Sequence, residues 1–191
     1  MIMTEMIGVL ALQGDFQAHK EQIEKLGRQT MEVRTITDLQ SCSALIIPGG
    51  ESTTLLKLLS PALKEEIKNF AKQNKAILAT CAGLILIANK VESPSQESLN
   101  LLNITVKRNA YGRQLDSFIT QELHWTNGSG QLEGVFIRAP QITEVGGNIQ
   151  VLIKHSEDPV LVQQNKILGA TFHPELSDSS REIYRLFLSL I

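Results

Sequence analysis

Apolar residues in this chain fall alternately into short unbroken runs and into stripes of helical spacing. Ile7-Gly8-Val9-Leu10-Ala11-Leu12 and Ala44-Leu45-Ile46-Ile47 are continuous apolar stretches of strand length, as expected of strands covered on both faces. Between them, Gln13-Gly14-Asp15 turns into a helix that carries Phe16, Ile23 and Leu26 on one stripe and stops at Gly27. Met31 to Val33 fits a short second strand. Pro48-Gly49-Gly50 ends the run at Ile47, Ser52 is the expected cap of a following helix, and Leu63 to Gln73 reads as another helix after Pro61. Ala76 to Thr80 is a further buried strand that runs into Cys81-Ala82-Gly83 and a second apolar stretch, Leu84 to Ala88.

The rhythm changes after Asn89. Glu92 to Ser98 is a polar surface loop, and beyond it come short strand candidates at Leu101–Lys107, Gly134–Ile137, Ile149–Ile153, Val160–Val162 and Leu168–Phe172, most of which fit antiparallel hairpins. Ser179 to Leu190 reads as a closing helix with Ile183, Leu186, Phe187 and Leu190 on one side. Strands alternating with helices predict an α/β fold, with a mostly parallel central sheet flanked by helices and a β-rich second half. Residues 1–191 are expected to form one domain around one core. Ligands of open α/β sheets bind at the carboxyl ends of strands. Pro48-Gly49-Gly50, Cys81 and His173 each follow a predicted strand, which brings all three toward one edge.

Composition narrows the setting. A formal charge of −2 and a pI near 6.1 give no general pull toward nucleic acid or anionic membrane. The longest apolar run, Ala76 to Ala88, is too short to span a bilayer, and the start Met1 to Met6 lacks a signal peptide's basic segment and cleavage site. Two cysteines, Cys42 and Cys81, make no disulfide framework. A cytoplasmic location suits a free thiol.

Cys81 carries the sharpest chemical signal. A strand–nucleophile–helix turn holds a reactive side chain clear of the backbone and frees the next N–H to bind an oxyanion. A lone cysteine among apolar residues is more often a core residue. Thr171-Phe172-His173-Pro174-Glu175 changes that balance by offering a base and a carboxylate. Pro174 biases His173 toward extended backbone, in which residues two apart share a side, so Glu175 can orient the imidazole. The pattern predicts a Cys-His-Glu hydrolase. Gly49-Gly50 is by itself only a turn, but beside a nucleophile its N–H groups can face an oxyanion; Gly50 and Ala82 are the expected donors. Arg108 and Arg138 border predicted strands and suit an α-carboxylate, and their spacing prefers neither. His19, His124 and His155 have no metal-ligand spacing and are expected at the surface or partly packed; Cys42 is expected to be structural. Neither metal nor cofactor is expected.

These segments together resemble the class I glutamine amidotransferases, and among them the family of glutaminase subunits of pyridoxal 5′-phosphate synthase. The cysteine elbow and His173-Pro174-Glu175 are shared across the class. Gly49-Gly50-Glu51-Ser52-Thr53-Thr54, the run from Arg108 to Phe118 and Phe136-Ile137-Arg138-Ala139-Pro140 are more specific to the subunit. The resemblance implies a flavodoxin-like fold, Cys81 as nucleophile with His173 and Glu175, and glutamine held by Gly49, Gly50, Glu51, Arg108, Ile137 and Arg138. It also implies a synthase subunit as ammonia acceptor, in a large hetero-oligomer, for pyridoxal phosphate (vitamin B6) biosynthesis. Ala79 stands where the family usually has glycine, and Ala18 precedes His19 where an acidic residue is usual. A stand-alone amidohydrolase or γ-glutamyl hydrolase uses the same residues. A redox-sensing or chaperone-like protein needs only the thiol, and so leaves the Gly-Gly loop and His-Pro-Glu without a use.

Overall fold

The computed structural model describes residues 5–108 and 117–191. The first half alternates as the apolar pattern predicts: β1 (Met6–Leu10), α1 (Phe16–Glu24), β2 (Gln29–Val33), α2 (Ile36–Gln40), β3 (Ala44–Ile47), α3 (Ser52–Leu58), α4 (Pro61–Lys72), β4 (Ala76–Thr80) and α5 (Ala82–Ile87). The second half holds β5 (Ala88–Glu92), β6 (Leu102–Lys107), β7 (Ser117–Trp125), β8 (Gln131–Ile137), β9 (Gln141–Val145), β10 (Gln150–His155), β11 (Asp158–Gln164), β12 (Ile167–Ala170) and α6 (Arg181–Ser189).

A nine-stranded sheet runs in the order β2-β1-β3-β4-β12-β11-β10-β7-β8, and β5-β6-β9 form a smaller one. The large sheet is parallel from β2 to β12 and antiparallel from β12 to β8. The hairpin expectation therefore holds for β10–β11–β12, while β8 pairs antiparallel with β7, a strand the apolar pattern does not predict. It does not hold for the outer side of β12, which lies parallel to β4, or for β5, which pairs parallel with β6.

Period-two alternation sends side chains to two buried layers. Leu45, Ile47, Ile77 and Ala79 join the layer under α3, α4 and α5, with Leu55, Leu63, Ile67 and Phe70. Ala44, Ile46, Ala76 and Leu78 join the opposite layer, with Ile23 of α1 and Ile183, Tyr184 and Phe187 of α6. Covering both faces explains why these strands read as unbroken apolar runs.

Several local expectations change. Glu51, not Ser52, caps α3, its carboxylate accepting from the N–H groups of Thr53 and Thr54. A carboxylate does this better than a hydroxyl because it also opposes the positive end of the helix dipole. Helix α4 begins at Pro61 behind the Ser60 cap, two residues before the expected start. Strands β5, β7 and β9 and helix α2 were not predicted. β7 sends Phe118, Leu123 and Trp125 to the core, but a register shift between Thr120 and Leu123 breaks their alternation and its other residues are mostly exposed, so no regular period betrays it. The run Asn109 to Asp116, within the motif from Arg108 to Phe118, lies outside the described residues.

Candidate active site

The site forms where β3, β4 and β12 end together. Cys81 follows β4 directly and has φ 48° and ψ −108°, a backbone conformation that costs a non-glycine residue roughly 1–3 kcal/mol and is kept where surrounding structure enforces it. The enforcement is visible. Cys81 N–H donates to the Ala170 carbonyl at 2.9 Å, and α5 starts at once with Ala82. Gly83 lets this first turn press on β3: a Cβ there would lie 2.2 Å from the Ile47 carbonyl oxygen.

His173 arrives from the other side. Its N–H donates to the Val135 carbonyl of β8 at 2.8 Å, tying the segment after β12 to the far antiparallel half. The ring Nδ1 lies 2.7 Å from Glu175 Oε1, and Glu175 is 4% exposed on a 3₁₀ turn at Pro174–Leu176. Burial works against protonation of the ring. Its hydrogen bonds to Cys81 and Glu175, together with their charges, outweigh burial and push its pKa up to about 10. Burial likewise opposes ionisation of Glu175, but the neighbouring His19 and His173 rings hold its carboxyl below the usual range. An imidazolium beside a thiol is the setting that favours a thiolate.

A cleft of about 360 Å³ opens over the thiol, lined by Gly50, Glu51, Ser52, Cys81, Ile85, Arg108, Ile137, Arg138 and His173. Every predicted substrate-binding residue except Gly49 lines it. Gly49 sits at the back: a Cβ there would meet His173 Cε1 at 2.6 Å and Cys81 Cβ at 3.2 Å. Gly50 has φ +125°, open in practice only to glycine. Ala82 is buried at the head of α5, next to Cys81. Cys81 Sγ points toward the Ile137 carbonyl oxygen, 3.8 Å away. The Arg108 guanidinium approaches Glu51 Oε1 at 3.5 Å. Side-chain hydrogen bonds from Thr53 lead the causes that lower the Glu51 pKa to about 2, so this wall of the cleft stays anionic.

Sequence reasoning missed Gln13. Its side-chain amide clamps the main chain of Glu51 from both sides, donating to the carbonyl at 2.7 Å and accepting from the N–H at 3.3 Å. The signal was a polar residue directly after a buried strand. His19 was also misplaced: it is fully buried, not at the surface. A helix with only Phe16, Ile23 and Leu26 as apolar marks does not reveal that a histidine faces inward. His155 ends β10, its ring 5.7 and 5.8 Å from the rings of Phe118 and Phe136. Cys42 is buried and donates to the Asp38 carbonyl, and burial pushes its thiol up to about 11. Among the described residues no group of His, Cys, Asp and Glu is arranged to hold a metal, and no helix is long and apolar enough to cross a membrane.

A cysteine on a strained strand-to-helix turn, with a histidine and a buried carboxylate at the edge of such a sheet, is the arrangement expected of the glutamine amidotransferase class of α/β proteins. Known proteins bear this out. The chain belongs to the SNO glutamine amidotransferase family, whose profile matches residues 9–191. It is 49% identical to the pyridoxal 5′-phosphate synthase subunit PdxT of Koribacter versatilis, with 97% of this chain and 95% of that one covered. It is 44% identical to the protein of the same name from Thermotoga maritima, covering 97% and 98%. A crystal structure of a glutamine amidotransferase superposes with a TM-score of 0.89 at 43% identity, covering 96% of this chain and 97% of that one. The structure of PurLQS from Thermotoga maritima, at 15% identity and TM-score 0.68 over 98% of this chain and 99% of that one, shares the fold.

Proposed function

We propose that this chain, working as one glutaminase domain in the cytoplasm, hydrolyses L-glutamine to L-glutamate and ammonia. The ammonia passes to a pyridoxal 5′-phosphate synthase subunit in a hetero-oligomer. The observation that carries the reading is the shared cleft of Cys81, His173 and the Gly50 loop, with Glu175 buried behind the base.

The Cys81 thiolate attacks the side-chain amide carbon of glutamine. The developing oxyanion takes the N–H groups of Gly50 and Ala82, each such donor worth roughly 3 kcal/mol at the transition state. His173 gives its proton to the leaving nitrogen, ammonia departs, and a thioester remains. His173, now neutral, takes a proton from water, whose oxygen attacks the thioester carbon; the C–S bond breaks, glutamate leaves with its new carboxyl losing a proton to solvent, and the thiolate–imidazolium pair is restored. Glu175 keeps the imidazole in the tautomer that presents Nε2 to the sulfur. Glu51, ionised across the working pH range, faces the substrate's ammonium, and Arg108 and Arg138 face its carboxylate.

Ammonia released into solvent is lost as ammonium, so hydrolysis is coupled to docking. Glycine backbone at Gly49-Gly50 allows a peptide rotation that completes or removes one oxyanion donor. Steady-state ammonia release from glutamine across a titration of the synthase subunit tests this. Turnover should rise with the fraction bound; a flat response with complex formation confirmed would rule out the coupling. It would favour a stand-alone amidohydrolase instead.

A further inference from the structure

Behind Glu175 lies a buried polar chain that the hydrolytic steps do not use. Glu175 Oε1 is taken by His173, while Oε2 is buried and makes no hydrogen bond. His19 of α1 approaches it, with Nε2 3.4 Å from Oε2 and 3.3 Å from Thr80 Oγ1 at the end of β4. On its other side, His19 Nδ1 is 2.8 Å from the Tyr184 hydroxyl of α6. His19, Thr80 and Tyr184 are all fully buried. Gln22, one turn along α1, donates to the main-chain carbonyl of Glu175 at 3.2 Å.

The hydrogen positions follow from charge. A carboxylate oxygen 3.4 Å from Nε2 would repel a lone pair there, so Nε2 carries the proton and Nδ1 accepts from Tyr184. Burial holds His19 below its usual pKa despite the attraction of Glu175, so the ring is neutral with one N–H to give. The groups acting on it are Glu175, His173 and Asp15, with the Tyr184 hydroxyl directly bonded. A neutral donor avoids placing a second buried cation behind the His173 imidazolium.

We propose that His19 is a positioning residue of the catalytic site. The positive edge of its Nε2–H, shared with Thr80 Oγ1 and 3.4 Å from Oε2, attracts the Glu175 carboxylate, keeping it ionised and aimed at His173, and Tyr184 sets the tautomer. The inference rests on the triad reading above. Without the Nε2–H, the buried Glu175 carboxyl takes up a proton at higher pH. The imidazolium then loses its counter-charge, and the thiolate it supports forms only at higher pH.

The test reads Cys81 directly, without glutamine. The rate of iodoacetamide alkylation at Cys81, followed by peptide mass spectrometry from pH 5 to 10, gives the midpoint of thiolate formation. Cys42, with its thiol near 11, stays silent over most of that range. His19→Leu should raise the midpoint by about one pH unit and lower glutaminase kcat, measured with the synthase subunit, by roughly tenfold with little change in KM. His19→Gln, which keeps an N–H near the Nε2 position, should restore most of both. Tyr184→Phe should shift the midpoint the same way by less. A purely structural role would lower rates equally at every pH and leave the midpoints alone. Unchanged midpoints in His19→Leu and Tyr184→Phe overturn the proposal. Should His19→Leu not fold, Tyr184→Phe decides by the same reading. If the midpoints shift but the wild-type complex releases no ammonia from glutamine, the glutaminase reading fails and the positioning role stands.

Discussion

At the scale of single residues, the two cysteines show how surroundings divide one chemistry. Both are buried, yet Cys81 has an imidazolium at its side, whereas Cys42 has a main-chain carbonyl and a desolvated thiol near 11. An electrophilic glutamine analogue should therefore label Cys81 and spare Cys42, and Cys81→Ala should remove hydrolysis without moving the melting temperature by more than a few degrees. Activity persisting in Cys81→Ala would reject the nucleophile. The His173 ring sits far above its usual value partly because of Glu175, and its charged form is lost as pH rises through about 10. Glu175→Gln removes that counter-charge, so the alkaline limb of kcat/KM should move to lower pH and the active range should narrow from above. A limb that stays in place would show that Glu175 does not support the base. The proposed catalytic residues were legible as candidates because each sits beside a conformational marker: a turn after an apolar run for Cys81, a proline for His173 and Glu175. His19 carries no such marker, and Gln13, although it follows an apolar run, has no reactive group to draw attention to it. Their roles depend on which way a polar side chain faces once a strand and a helix have packed, and local pattern is silent on that.

At the scale of elements, the loops after β1 and β3 are built as a pair. Gly14 has φ +80°, and a Cβ on it would meet the Gly49 carbonyl oxygen at 2.1 Å; Gly27 has nearly the same φ, +75°, with nothing within 4 Å. The two alanine variants therefore separate backbone strain from contact. Gly27→Ala should cost about 1 kcal/mol of stability and leave glutamine hydrolysis intact. Gly14→Ala should lose a similar amount from φ alone and, by displacing Gly49, at least tenfold in kcat as well. Denaturant melts and ammonia assays on both variants check this; equal activities would mean that the β1 loop does not support the β3 loop. The buried parallel strands were readable because both of their faces are apolar. β7 and β9 were not, because pairing through the main chain needs no apolar side chain, and mostly exposed strands such as these leave little periodicity to detect.

At the scale of the whole molecule, parallel and antiparallel halves meet at β12, and the base hangs from that junction. Register does the aligning: Ala170 sits opposite Thr80, so the residues that follow both strands start from a common level. A pair of hydrogen-bonded strands spaces these segments without help from any ligand. Under the proposed coupling, the synthase acts on the Gly49-Gly50 loop and leaves this spacing as it is. In a competition between amide-labelled glutamine and excess unlabelled ammonium, the complex should draw its product nitrogen mainly from glutamine. Product nitrogen tracking the bulk ammonium pool would argue against direct transfer.

The position of β12 has one more outcome, which concerns the order in which the protein comes into being. Its sheet neighbours β4 and β11 precede it in the chain, yet it lies between them, so the large sheet is continuous only once residues 167–170 have slotted into its middle. A ribosome that has not yet delivered Ile167 has already delivered the thiol and both glycine loops, but neither the base nor the strand that carries it. Contacts this distant in sequence form late and slowly. The growing chain thus carries its cysteine unarmed, and the capacity to split glutamine arrives with the final strand.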